Sequence, residues 1–121
     1  LQPGEVTMQL EKSDHLLQQQ GFMHGGVLTA GLDSACGFAA LTLSAPSVEV
    51  LSIEFKTSFF RPVTTDKVQV FGRVIKAGKR VSFCEAEAFS LEDDDQILLA
   101  KMSSSVAMVD VPEGWVPENR S

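Results

Sequence analysis

The chain has 121 residues, of which 44% are hydrophobic and 21% charged, so we expect one domain with one core over residues 1–121. A net charge of −6 and the absence of a basic block argue against nucleic acid as a partner. No secretory leader is evident, and the apolar run 27–43 is short for a membrane span, so we expect a cytoplasmic protein without a membrane partner.

The predicted elements begin with an alternating segment over 5–12, which is typical of a half-buried strand. A polar connection over 13–22 follows. The longest apolar run then predicts a helix over 25–43, ended by the breaker residues of 44–47. Four more strands are predicted after it, over 48–60, 68–76, 81–91 and 97–109.

The strand over 48–60 is predicted to place Leu51, Ile53, Phe55, Thr57 and Phe59 on one face and Ser52, Glu54, Lys56 and Ser58 on the other. The order of elements predicts an α+β fold, in which a five-stranded antiparallel sheet holds one long helix against its concave face. The last four strands are expected to form a meander. Because so apolar a helix would keep one side uncovered, we expect a second subunit or a wrapped sheet to cover it.

Two features at the helix suggest chemistry. Gly25 and Gly26 stand at its start, where bare backbone N–H groups suit an oxyanion hole, although a flexible turn explains them as well. Between Gly25 and Val48 the chain carries one charge, Asp33. This carboxylate is either a nucleophile or general base, or a buried acid satisfied by nearby donors.

Other candidates have simpler interpretations. His24 is interpreted as an orienting residue at the helix start, since no second histidine stands near it in the sequence. Ser34, Cys36 and Cys84 are interpreted as packing residues, and the two cysteines as reduced thiols of a cytosolic protein. The basic cluster of Lys76, Lys79 and Arg80 suits either a solvated hairpin or phosphate binding, and Arg61 and Lys56 are further candidates for phosphate binding.

The motif His24-Gly25-Gly26, followed by six residues and Asp33, resembles the His-Gly-Gly…Asp pattern of hotdog-fold acyl-CoA thioesterases of the phenylacetate-pathway (PaaI-like) type. The resemblance runs from Pro3 to Ala107 and includes Arg61-Pro62 at the end of a strand. It implies a hotdog fold, with the sheet wrapped around the central helix. It also implies hydrolysis of a medium-chain or aryl acyl-CoA to the free acid and CoA, with no metal and no cofactor besides the CoA of the substrate.

The resemblance also implies roles for particular residues. Asp33 is expected to be the catalytic carboxylate, Gly25 the oxyanion amide, Gln18 a contact of the thioester carbonyl, and Ser52 the group that orients water. The expected substrate-binding residues are His24, Gly26, Lys56, Arg61, Lys79 and Arg80. Asp33 of one subunit is expected to act beside Gly25 of another, in a homodimer that assembles further into a tetramer. Many relatives have an N-terminal helix before the first strand, which this sequence is not expected to contain.

Two alternative functions remain open at this stage. One is a hotdog hydratase or dehydratase of acyl thioesters, although such enzymes usually pair a histidine with an acid in another local arrangement. The other is a non-catalytic acyl-CoA-binding domain, although no DNA-binding segment accompanies it here. Release of free thiol from acyl-CoAs distinguishes hydrolysis from both.

Overall fold

The computed structural model describes residues 3–11, 25–45, 47–63, 67–92 and 95–110. The elements in these ranges are β1 (Glu5–Glu11), α1 (Gly25–Leu41), β2 (Val48–Phe59), β3 (Lys67–Lys76), β4 (Val81–Glu92) and β5 (Asp95–Asp110). The order of one strand, one helix and four strands confirms the predicted α+β architecture.

The helix ends at Leu41, two residues before the predicted end. The hydroxyl of Thr42 donates to the carbonyl of Ala39 at 2.6 Å, and that of Ser44 donates to the carbonyl of Ala40 at 2.9 Å. The last carbonyls of a helix have no hydrogen-bond donor within it, and here side-chain hydroxyls donate to two of them. Thr42 also accepts a hydrogen bond from the N–H of Gly4, which ties the end of the helix to the start of β1.

The five strands form one antiparallel sheet in the order β1-β3-β4-β5-β2. The predicted meander of four strands is therefore wrong. The strands β3, β4 and β5 do form a meander, but β2 pairs with β5 and is separated from β3 by two strands. Hydrophobic alternation defines the faces of a strand but not its neighbours, so the sequence pattern contained no signal for this crossover.

A β-bulge at Ile53 changes which residues of β2 share a face. Ser52 pairs with Val106 and Glu54 with Ser105, so Ile53 has no partner in the ladder. An extra residue in one strand shifts the alternation by one position. The residues that face α1 are consequently Val48, Val50 and Ser52 before the bulge, and Phe55, Thr57 and Phe59 after it, because each lies opposite a residue of β5 on that face. The uniform alternation predicted for this strand is wrong.

The core lies between α1 and the sheet. The helix buries Leu28, Leu32, Ala35, Cys36 and Ala39 against it. Gly72 on β3 lies so close to the helix that an added Cβ would stand 2.6 Å from the carbonyl oxygen of Ala35. The helix backbone therefore rests almost directly on this strand.

The edge formed by β2 exposes large apolar side chains beside the charged side chains of Glu54 and Lys56. Among the described residues, the exposed large hydrophobic side chains on or next to this strand are Leu51, Ile53, Phe55, Phe59 and Phe60. An edge strand also presents unpaired backbone groups, and natural proteins usually protect such an edge with charge or cover it. Within the described ranges, no helix is long and apolar enough to cross a membrane.

Candidate active site

One stripe of the helix faces β2. An added Cβ on Gly25 would stand 3.7 Å from the ring of Phe59, and one on Gly37 would stand 3.6 Å from Cγ2 of Val50. Asp33 lies between these glycines on the same stripe, eight residues after Gly25 and four before Gly37, since residues four apart follow one another along a helix face. The helix therefore runs antiparallel to β2, with its N-terminus at the Phe59 end.

Asp33 is half-buried, and its carboxylate accepts a hydrogen bond from the hydroxyl of Ser52 at 2.5 Å between Oγ and Oδ1. A hydrogen bond of this length to an ionised acceptor is among the stronger ones in proteins. It fixes the direction of the carboxylate while the serine oxygen keeps lone pairs that can accept from a water molecule. The sequence left open whether this acid has a partner or a chemical role, and the arrangement is compatible with both.

Gly25 and Asp33 are separated by eight residues of one helix, which corresponds to about 12 Å along its axis. A backbone donor for an oxyanion must stand about 3 Å from the oxygen it stabilises, and a nucleophile or base must reach the adjacent carbon or its water. The two groups of one protomer therefore cannot act on the same thioester.

The basic residues proposed for substrate binding do not form one patch within a protomer. Lys56 pairs with Ser103 on the outer face of the sheet, away from the helix. Lys79 and Arg80 precede Val81, which pairs with Ala107 near the Leu51 end of β2. Arg61 follows the opposite end of β2 and is exposed. The expectation that these four residues bind substrate remains a prediction.

Other predicted site residues lie at or before the helix start. Gly26 is exposed in the first turn of α1. Gln18 and His24 lie outside the described residues, so their predicted roles remain predictions.

Cys36 and Cys84 are unbonded and buried, as interpreted from the sequence. Burial raises the pKa of the Cys36 thiol to about 12, with a further contribution from the neighbouring Cys84 and Asp33. Burial alone raises the pKa of Cys84 to about 11. Nucleophilic cysteines need a lowered pKa, so both thiols are packing groups.

Two hydroxyls near this stripe were missed by the sequence analysis. Among the described residues, Oγ1 of Thr57 and Oγ of Ser104 are buried without a hydrogen-bond partner. Both lie on the face of the sheet that contacts α1. The sequence contained one signal for Thr57, because this hydroxyl residue stands between Phe55 and Phe59, each two residues away.

Comparison with known proteins identifies the family. Residues 20–97 match the model of the Thioesterase superfamily. A thioesterase family protein from Silicibacter pomeroyi has a similar crystal structure with a TM-score of 0.87, and it is 32% identical over 92% of this chain and 82% of its own. The chain belongs to the thioesterase superfamily.

More distant structures share the fold. A thioesterase from Haemophilus influenzae is 17% identical, with a TM-score of 0.84 over 94% of this chain and 78% of its own. A phenylacetic acid degradation-related protein from Ralstonia eutropha is 20% identical, with a TM-score of 0.77 over 87% of this chain and 76% of its own. These comparisons confirm the predicted hotdog fold, and family membership supports a thioester hydrolase.

Proposed function

We propose that the protein hydrolyses an acyl-CoA thioester, with a medium-chain or aryl acyl group, to the free acid and CoA. The hydrogen bond from Ser52 to Asp33 carries the proposal, because it orients the one carboxylate of the helix within a thioesterase fold. Asp33 is only partly buried and is bonded to a residue of the edge strand β2, so its carboxylate avoids the cost of full desolvation and stays accessible to water.

In this proposal the carbonyl oxygen of the thioester accepts a hydrogen bond from the N–H of Gly25, at the positive end of the helix dipole. As a general base, Asp33 takes a proton from a water molecule held by Ser52, and the water oxygen bonds to the thioester carbon. As a nucleophile, Asp33 bonds to that carbon itself, and water later cleaves the resulting anhydride. In both routes the C–S bond breaks and CoA leaves as a thiolate. Gln18 remains a further proposed contact of the carbonyl.

The site requires two protomers, since the amide and the carboxylate of one helix are about 12 Å apart. A second copy that pairs with the open β2 edge in antiparallel orientation would bring its own helix start toward Asp33. The exposed apolar side chains of β2 supply the surface that such pairing would cover. We therefore propose a homodimer as the catalytic unit, with two active sites.

Thiol release from a panel of acyl-CoAs tests this function. The wild-type protein is expected to release CoA, and Asp33→Asn is expected to lose about 10²- to 10⁴-fold in kcat while it keeps its melting temperature, because an amide neither attacks nor accepts the proton. Ser52→Ala is expected to lose less, since water remains available to the carboxylate.

Asp110→Asn serves as the matched control, since Asp110 is an exposed acid at the end of β5. It should retain wild-type turnover. An unchanged kcat in Asp33→Asn would contradict the catalytic assignment. Tight binding without thiol release would instead support an acyl-CoA-binding domain, and addition of water to an unsaturated acyl group would support a hydratase.

A single turnover in ¹⁸O-labelled water tests the nucleophilic role of Asp33. If Asp33 is the nucleophile and water attacks its carboxyl carbon in the anhydride, label enters Asp33, which mass spectrometry of the peptide detects. A general base, or attack of water at the acyl carbon of the anhydride, places all label in the released acid, so label in Asp33 is the decisive outcome.

A further inference from the structure

The open edge of β2 allows a second copy to pair with it in only a few registers. In an antiparallel pair, residues that lie opposite each other point to the same face of the sheet. For two identical strands related by a two-fold axis, the axis therefore passes through a residue and not between two neighbours, which point to opposite faces. Beyond the bulge at Ile53, Phe55 faces the helix whereas Glu54 and Lys56 face outward, so each of these three positions defines a separate register.

The divided active site places the axis near the middle of β2. Ser52 marks the position of Asp33 along the strand, through their hydrogen bond, and Phe59 marks the position of Gly25. Gly25 of one copy has to approach Asp33 of the other, and this happens when the axis passes midway between the two marks.

Two residues satisfy this condition. The marked groups are about 12 Å apart along the helix, so their midpoint lies about 6 Å from Ser52 by this measure, which is about two positions of the β2 ladder. Ser52 and Phe59 themselves are six ladder positions apart, because Ile53 has no partner in the ladder, and their midpoint lies three positions from Ser52. The axis is thus at Phe55 or at Lys56.

Charge decides between these two registers. Lys56 is exposed on the outer face of the sheet, and an axis through it would place two lysines directly opposite each other, which destabilises a strand pair. An axis through Phe55 instead places Glu54, which is also exposed, opposite Lys56 of the second copy, and it does so twice. Within the ranges that the structure describes, neither Glu54 nor Lys56 forms an ion pair with another residue of its own chain. Both charges are therefore available to a second copy.

We infer that two copies of the chain pair along β2 about a two-fold axis at Phe55, with two ion pairs between Glu54 of one copy and Lys56 of the other. The inference rests on the proposed function, because it takes the homodimer from there and assigns its register. On the helix side of the strand, Phe55 is 46% exposed, and pairing brings the two phenyl rings together and covers them. The outer side of the pair thus supplies charge complementarity and the inner side apolar contact.

Single cysteine substitutions test the register. Phe55→Cys places two thiols opposite each other with Cα atoms about 4.5–5.5 Å apart, within the range of a disulfide, so mild oxidation is expected to link nearly all of the protein as a dimer. Lys56→Cys and Ser58→Cys are the controls, since their copies would lie about 8 Å and about 20 Å apart and should remain unlinked. Cys36 and Cys84 are buried and do not contribute. Non-reducing electrophoresis measures the linked fraction.

Charge reversal tests the ion pairs. Glu54→Lys and Lys56→Glu each create two pairs of like charges, and each is expected to raise the dissociation constant of the dimer about tenfold. The double variant, Glu54→Lys with Lys56→Glu, restores opposite charges and should return the constant to the wild-type value. Glu11→Lys changes an exposed acid on the opposite edge strand, β1, and should have no effect. Analytical ultracentrifugation with fluorescence detection measures the constants.

The linked dimer also tests whether this register is the active one. CoA release by oxidised Phe55→Cys should equal that by the same variant after reduction, since the disulfide holds the strands where the active dimer has them. Comparison within one variant removes any effect of the substitution itself on the acyl group. A large loss of turnover on oxidation would show that the link traps an inactive arrangement, and would count against the register.

Absence of linking in Phe55→Cys, preferential linking of Lys56→Cys, or a double charge variant that dimerises no better than the single ones would overturn this register while leaving hydrolysis and the homodimer intact. A wild-type protein that releases thiol as a monomer would contradict the shared site and the inference together. Absence of thiol release from every thioester would contradict the proposed function itself.

Discussion

At the scale of single residues, the sequence was most informative about Asp33. A lone carboxylate in an apolar helix is costly to bury, so its presence alone indicated a partner or a chemical role. The family resemblance identified Ser52 as a group that orients water, but its hydrogen bond to Asp33 was not predicted, since no periodicity connects two residues on different elements. Thr57 was not identified, because an unsatisfied hydroxyl is a property of its three-dimensional surroundings.

The two buried cysteines predict how stability depends on pH. The folded state raises the pKa of Cys36 to about 12 and that of Cys84 to about 11, above the ordinary value of 9.0. The unfolded chain therefore loses these protons at lower pH, and their contribution to stability is complete below about pH 9 and is lost as the pH rises toward these raised values. The urea midpoint is expected to fall over this alkaline range, and equilibrium unfolding at several pH values measures it.

A double variant, Cys36→Ala with Cys84→Ala, provides the comparison. It is less stable overall because it loses buried volume, but its midpoint should decline less steeply above about pH 9. If the urea midpoints of the wild type and the double variant fell equally with rising pH, groups other than the two cysteines would cause the loss of stability at alkaline pH.

At the scale of elements, the sequence predicted the type of each segment, helix or strand, more accurately than its position in the sheet. The helix start, the strand count and most strand boundaries agree with the structure to within two residues. The position of β2 beside β5 and the bulge at Ile53 were not predictable, because both depend on pairing between distant segments. From Leu51 to Phe59 the sequence alternates without interruption, and Ile53 fits one of the apolar positions of that pattern.

Because the helix lies in close contact with β3, we expect a substitution of Gly72 to have a large effect on stability. A methyl group there would stand 2.6 Å from the carbonyl oxygen of Ala35 and would force the helix away from the sheet. Gly72→Ala is expected to destabilise the fold by about 1–3 kcal/mol, the usual cost of overpacking a core, as measured by urea unfolding.

Gly37→Ala is the matched control on the helix side. Its added methyl group would stand 3.6 Å from Val50, an ordinary contact, and alanine is a better helix former than glycine. This variant should be more stable by up to about 1 kcal/mol. If both substitutions had the same effect, close approach at Gly72 would not explain the packing of the helix.

At the scale of the whole molecule, the open edge and the divided site lead to the same conclusion. The β2 edge exposes several large apolar side chains, and the two proposed catalytic groups are too far apart on one helix. Pairing of two copies along β2 would satisfy both requirements. Further assembly of dimers into a tetramer stays a prediction.

A lysine on this edge is expected to prevent assembly. Ile53→Lys places a charge on the exposed edge, at 58% exposure, where β2 of a second copy would lie against it. The variant should be monomeric by analytical ultracentrifugation and should lose nearly all thiol release, because each protomer then lacks one half of the site.

Ile75→Lys is a close control, since Ile75 is 51% exposed and also stands at an irregularity in strand pairing, but on the interior strand β3. It should preserve the dimer and its turnover. A monomeric Ile53→Lys protein with full activity would contradict the shared site.

The bulge at Ile53 also limits how this protein can change during evolution. Substitutions along β2 alter side chains one at a time, whereas removal of the extra residue would rotate every residue on one side of it to the opposite face. Ser52 would then point to solvent and Asp33 would lose its hydrogen-bond partner, although neither residue had been replaced. Under the proposed function, the length of this strand therefore matters to the site as much as the identity of its residues, and we expect β2 to tolerate substitutions far better than insertions or deletions.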